Sequence, residues 1–268
     1  MFKKVFVLIL VLCLIFVLIG SAEEKSVLDK VLDSGKLTVG VFSDSPPNGF
    51  LDEKNEYTGS DIDVAKLMAK TLGVKVEFVS TINPNRIPYL LTGKVDCVIA
   101  GFSMMPDRRK VIEFSDGYFM GGAVVIVNTK NPISAEIEGI QDLAGKKVGV
   151  AKGSINDEIA TKEVGKTAKS IVRFDYLSDL YQALDACKVD AIIESPVNSG
   201  YIIKNKYPYF KMVGDLLNFN TWGIGVRRGD QIWLNWINGF VFDLLSSGDM
   251  KRICEKYGVP YYPLHFVY

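Results

Sequence analysis

The chain has 268 residues, with 31 basic and 31 acidic side chains, a single His and four Cys, and 48% of it is hydrophobic. These are the proportions of an ordinary globular protein, not of a disordered, collagen-like or disulfide-stapled one. Zero net charge argues against a nucleic-acid binder, which needs a basic face. One His, His265, all but excludes Ser/His/Asp and Cys/His catalysis and any multi-His zinc site.

The first predicted element is a leader. Lys3 and Lys4 precede an apolar run from Val5 to Ile19, followed by the small residues Gly20-Ser21-Ala22. This is the layout of a secretory signal over residues 1–22, cleaved after Ala22, since the run is shorter than the ~20 residues that span a bilayer. An uncleaved anchor is the alternative. The mature chain has 246 residues and, without the two leader lysines, a net charge of −2. It is expected to be exported to the periplasm or the extracytoplasmic face of the cell membrane.

Strand and helix patterns then alternate. Strands are predicted at 37–42, 74–79, 95–100, 123–127, 147–151, 171–176, 189–193 and 223–226. Helices are predicted at 61–72, 85–91, 107–111, 157–165, 180–188, 232–245 and 250–257. Such alternation implies mostly parallel sheets covered by helices. Gly93-Lys-Val-Asp-Cys-Val-Ile99 and Cys187-Lys-Val-Asp-Ala-Ile-Ile193 repeat one layout 94 residues apart, which points to two similar α/β lobes with ligand-binding edges at the strand C-termini. Cys97, Cys187 and Cys254 read as buried small apolar side chains, with a Cys187–Cys254 bridge left open.

Several short motifs occur in a fixed order: Leu37-Thr-Val-Gly-Val41, Ser45-Pro-Pro47, Gly59-Ser-Asp-Ile-Asp63, Asn85-Arg-Ile-Pro88, Gly93-Lys-Val-Asp96, Pro106-Asp-Arg108, Asp142-Leu-Ala-Gly145, Gly153-Ser154 and Trp222-Gly-Ile-Gly-Val226. In that order the chain resembles the extracellular solute-binding proteins of family 3, the polar amino-acid-binding proteins of bacterial ABC uptake systems. The resemblance implies an α/β fold of two Rossmann-like lobes joined by two crossover strands (periplasmic binding protein, type II-like), closing over one ligand in the interlobe cleft. Lobe 1 would comprise residues 24–125 plus 222–268, and lobe 2 residues 126–221.

The residues themselves agree with an amino-acid ligand. Arg108 at a helix start offers a guanidinium fork and open N–H groups to a carboxylate, and Ser103 offers a hydroxyl. Ser154 and Ile155 form a second strand-to-helix turn that would grip the same carboxylate, with Ser154 as a plain N-cap the alternative. Glu194 stands one residue before the family's usual ammonium-binding Asp position, which is Ser195 here. Ser45 and Ser60 match positions where relatives have aromatic walls, and Asn48 stands where they have Phe. Arg86 matches the side-chain-directed Arg of acidic-amino-acid binders, with a lobe 1 ion pair its alternative. Gly101 completes the binding set, and Phe50, Phe102 and Trp222 are candidate apolar walls.

The function expected is delivery of a polar amino acid, glutamate or aspartate favoured, to an ABC-transporter permease. The protein would act as a monomer, with no cofactor, metal or nucleic acid. A small neutral ligand such as cysteine or glutamine is the alternative. A cyclic-acid dehydratase needs a flanking acid and base where only Glu194 is recognisable, and a chemosensory module would carry a fused domain.

Overall fold

The computed structural model describes residues 25–261, so the expected leader and nearly all of the aromatic tail lie outside the described residues. Helix α1 (Val27–Ser34), absent from the predicted elements, is N-capped by Ser26 and ends at Gly35. Then come β1 (Lys36–Val41), the short strands β2 (Asp44–Ser45), β3 (Gly49–Leu51) and β4 (Tyr57–Thr58), α2 (Ser60–Leu72) and β5 (Lys75–Ser80). A 3-10 turn leads into α3 (Arg86–Leu91), followed by β6 (Cys97–Val98), α4 (Pro106–Arg109) and the long β7 (Glu113–Asn128). The second half has α5 (Pro132–Ala135), β8 (Lys147–Ala151), α6 (Ile155–Val164), β9 (Ser170–Phe174), α7 (Leu177–Asp185), β10 (Ala191–Glu194) and α8 (Pro196–Asn205). The equally long β11 (Phe210–Val226) returns to the first half, where α9 (Gln231–Ser246) and α10 (Asp249–Tyr257) close the described chain.

One sheet runs through the molecule in the order β5-β1-β6-β11-β7-β10-β8-β9. It is nearly symmetric about the antiparallel pair β7/β11, with three parallel strands on each side. The sequence repeat maps onto this symmetry, because its two halves end in β6 and β10. In each, the Asp accepts the backbone N–H at the start of the neighbouring strand: Asp96 from Thr38 at 2.7 Å and Asp190 from Lys147 at 2.7 Å. A short carboxylate thus stands in for the ladder partner that the strand end lacks.

The core divides with the sheet. Val39, Ile62, Ile99, Trp222, Ile224 and the buried face of α9 form one cluster. Val124 and Ile126 pack on α7, and Ala123, Val125 and Val127 pack on the other face with Val148 and Ile193. Val124–Val127 also pair with β10. The boundary expected at residue 125 leaves Ala123–Val125 in lobe 1, whereas their side chains pack in the second half. Between the clusters, Gly121 lets Trp222 lie across the strand; a Cβ there would sit 2.2 Å from the Trp222 ring nitrogen.

The three described cysteines are free, so no Cys187–Cys254 bridge forms. Cys97 and Cys254 are buried as expected, but Cys187 is exposed at the C-terminal end of α7. It has a positive φ of 54°, which turns it off the core-facing stripe. No helix among the described residues is long and apolar enough to cross a membrane.

Candidate functional site

The C-terminal edges of both parallel strand sets meet at a cavity of about 50 Å³ between the halves. Ser45, Asn48, Arg86, Gly101, Ser103 and Arg108 face it from one half; Ser154, Ile155 and Glu194 face it from the other. Ser60, expected in the binding set, is not on the wall. It starts α2 and donates to Asn48 Oδ1 at 3.3 Å from behind. Trp222 lines the cavity, while Phe50 stands elsewhere against Tyr201. Phe102 is buried beneath both arginines, whose guanidinium carbons lie 4.2 Å (Arg86) and 5.3 Å (Arg108) from its ring centre.

Arg108 is 8% exposed. Its fork donates to Ser103 O at 3.0 Å and, across the cleft, to Gly153 O at 3.1 Å. Burial lowers its pKa, with Glu158 partly offsetting this at 4.0 Å. Ser103 Oγ donates its proton to Asn220 Oδ1 at 2.8 Å. The Asn220 amide nitrogen is then left buried with no partner.

In the opposite half, Ser154 caps α6. Its hydroxyl donates to Ala151 O at 2.6 Å and accepts from the Asp157 N–H at 3.2 Å. The hydroxyl proton is committed locally, so what this turn offers an anion is the unpaired N–H of the first helical turn. Gly153, at φ 67°, makes the turn possible.

Glu194 ends β10, 5% exposed. It accepts from the Ser195 N–H at 2.8 Å and from Asn156 Nδ2 at 3.1 Å. Burial pushes its carboxyl up to about 7 despite those two donors, and Asp44 adds to the rise. Asn156 Oδ1, an acceptor, is buried without a partner. The cavity lining therefore includes a cationic fork, a carboxylate, and two amides, Asn220 and Asn156, each with a buried polar atom that has no partner. Unmade buried hydrogen bonds are costly; a group carrying both an anion and an ammonium would satisfy them.

Arg86 is held inside its own half. It donates to Asn83 O at 3.3 Å and Ala100 O at 3.1 Å. Burial and the like charge of Arg108 lower its pKa, while Asp61 supports its charged form. Asp61 in turn accepts from Tyr118 and from the Gly101 N–H, both at 2.8 Å, and burial raises it to about 6. The direct ion pair expected as the alternative for Arg86 is thus replaced by two carbonyls and this nearby carboxyl.

Asn156, Asn198 and Asn220 also line the cavity, although the sequence reading does not single them out. Asn156 follows the recognisable Ser154 cap, and Asn198 follows Ser195-Pro196, an N-cap with Pro at the first helical position. Those signals mark helix starts near the ligand edge. Asn220 carries no such signal, lying mid-strand in β11.

The chain is similar to known proteins over most of its length. The L-cystine-binding protein of Escherichia coli K12 is 26% identical over 239 residues, covering 89% of this chain and 88% of that one. The arginine-binding extracellular protein of Bacillus subtilis is 30% identical over 260 residues, covering 95% and 98%. The crystal structure of the cysteine-binding protein from Campylobacter jejuni superposes with a TM-score of 0.81 at 28% identity, over 87% and 93% of the two chains. The two-lobed sheet is the type II architecture of these binding proteins, which are not enzymes. Residues 37–260 match the sequence pattern of one family over most of the chain, and the protein belongs to the bacterial extracellular solute-binding proteins, family 3.

Proposed function

We infer that the protein binds a free, neutral polar amino acid of the cysteine or glutamine kind and, as an exported single chain, delivers it to an ABC-transporter permease. The observation that carries this reading is the pairing of Arg108 from one half with Glu194 from the other inside one cavity. Arg108, Asn220 Nδ2 and the first N–H groups of α6 receive the carboxylate; Glu194 and Asn156 Oδ1 receive the ammonium.

The charges also bear on the side chain. Arg86 is supported by Asp61, while Arg108 and Glu194 face the cavity from opposite halves, so the lining offers one cation and one anion to a zwitterion. The acidic ligand expected from Arg86 loses its ground, because that guanidinium is supported by Ala100 O, Asn83 O and Asp61. The relatives described above are named for cystine, arginine and cysteine, none of them acidic. A cationic side chain lacks a partner too: Asp44 is bonded to the Leu177 N–H at 2.7 Å, and Asp61 to Tyr118 and Gly101.

A thermal-shift screen of residues 23–268 against the twenty amino acids and cystine tests the reading. At 100 times its dissociation constant a ligand stabilises by about 2.7 kcal/mol. Arg108→Ala should cost about 2–5 kcal/mol of binding, whereas the exposed Arg109→Ala should cost under about 0.5 kcal/mol. No shift with any amino acid, or arginine and glutamate binding tenfold more tightly than every neutral ligand, would overturn it.

A further inference from the structure

We propose that residues 262–268, the aromatic segment that follows the described chain, dock as a strap into an apolar groove over β7 and β11, the two strands that join the halves. The groove has a volume of about 510 Å³. Pro47 and Phe119 line it from the first half, Val197 and Tyr201 from α8, and Leu216 and Phe219 from β11. None of its described lining residues is charged. Gly121 and Gly122 keep its floor low; a Cβ on Gly122 would stand 2.8 Å from Leu216 Cδ1. Two of the apolar side chains around it are open to solvent, Phe219 at 74% and Met212 at 39%. An apolar surface shared by several elements in this way marks a contact site.

The path of the chain names the occupant. Helix α10 ends at Gly258, at φ 65°, and the Val259 N–H then donates to Cys254 O at 2.9 Å. This turn lays Gly258, Val259 and Pro260 along the groove as one of its walls, with Tyr261 packed on the first core cluster. The next seven residues are Tyr-Pro-Leu-His-Phe-Val-Tyr, with no Asp, Glu, Lys or Arg among them. Their apolar composition matches that of the groove.

Reach and tethering favour this segment over a separate partner. Seven extended residues span about 23–25 Å, against about 5 Å between paired strands, so the segment can cross both β7 and β11. Rooted in the groove's own wall, it stands at an effective concentration of about millimolar, which a free protein would have to outcompete. The family pattern stops at residue 260, so the strap is an addition to the shared two-lobed fold. It would bind α8 and β11 of the second half to the end of α10 in the first.

Dye binding and thermal melts of the mature chain test the strap. Removing residues 262–268 should raise the fluorescence of bound anilinonaphthalene sulfonate about threefold and lower the melting temperature by about 3 °C or more. A peptide of residues 262–268 should displace the dye from the shortened chain. Phe219→Asp places a charge in the groove at an exposed position. It should lower the melting temperature of the full chain by a similar amount, and that of the shortened chain by under about 1 °C, because its partner is gone. If the shortened chain does not fold, Phe219→Asp, Phe266→Asp and their double variant at full length supply the same cycle: the double variant should melt close to either single one. Sedimentation should show a monomer with and without the segment. Equal dye binding by the full and shortened chains, or additive losses in the cycle, would overturn the strap. A dimer that falls apart on truncation would overturn it too, by seating the segment on a second copy.

Discussion

Burial in the cleft sets the titration of Glu194 at about 7, against an ordinary carboxylate value of 4.5. A raised carboxyl holds its proton longer in the folded state than in the unfolded chain. Its contribution to stability is therefore full below about pH 4.5 and is lost as the pH climbs to about 7. Asp61, raised to about 6, adds in the same direction, so the ligand-free protein should melt at a lower temperature at pH 7 than at pH 5. Ligand binding runs the other way. An ammonium beside Glu194 favours the carboxylate, so binding below pH 7 must expel a proton. Affinity should then weaken by up to about tenfold for each pH unit of acidification. Titration calorimetry between pH 5 and 8 checks this, and Glu194→Gln should flatten the profile while weakening binding. An affinity independent of pH in the wild type would remove Glu194 from the ammonium site.

At the scale of elements, α6 shows how one residue type serves two readings. Ser154 begins a helix, and its hydroxyl satisfies the Asp157 N–H and Ala151 O. Ser154→Ala should then lower stability by about 0.5–2 kcal/mol, measured by urea melts, and change ligand affinity by less than threefold. A tenfold loss of affinity with unchanged stability would instead place the hydroxyl on the ligand. The predicted strands at 147–151 and 37–42 coincide closely with β8 and β1, because their apolar runs are buried on both faces. Reading is weaker where tertiary pairing decides. The strand predicted at 123–127 extends to Glu113–Asn128, and the one at 223–226 to Phe210–Val226. Several of the added residues, among them Gly117, Gly121 and Asn218, have no strand preference and are held extended by the pairing of the two strands. Helix α8 is absent from the predicted elements although Ser195-Pro196 marks its start.

Among the described residues, contacts that cross the cleft include Arg108 to Gly153, Asp44 to Leu177, Asn198 to Ser45 and Pro46, and Phe50 against Tyr201. The ligand groups are likewise divided between the halves, so only a closed form satisfies them together. The pairing of β7 with β11 shifts register between Val213 and Asn218, and again at Trp222 and Gly223. With Gly121 and Gly122 opposite, this is where the chain can flex. Binding should therefore close the halves by a hinge there, and small-angle scattering should give a smaller radius of gyration with ligand than without. An identical radius would argue for a rigid cleft.

Local chemistry was enough to specify the alternating α/β pattern and the twofold repeat. Each comes from a short stretch of chain: burial periodicity and a Lys-Val-Asp strand start. The partners of the remaining polar side chains were fixed by folding. Whether Ser45, Asn48 and Ser60 touch a ligand or a neighbouring residue depends on Asn198, some 150 positions away. Whether Arg86 seeks an anion depends on Asp61 and on carbonyls brought beside it by two other elements. Polar side chains take whichever partner folding brings within about 3 Å, and sequence spacing cannot rank partners that lie in different lobes.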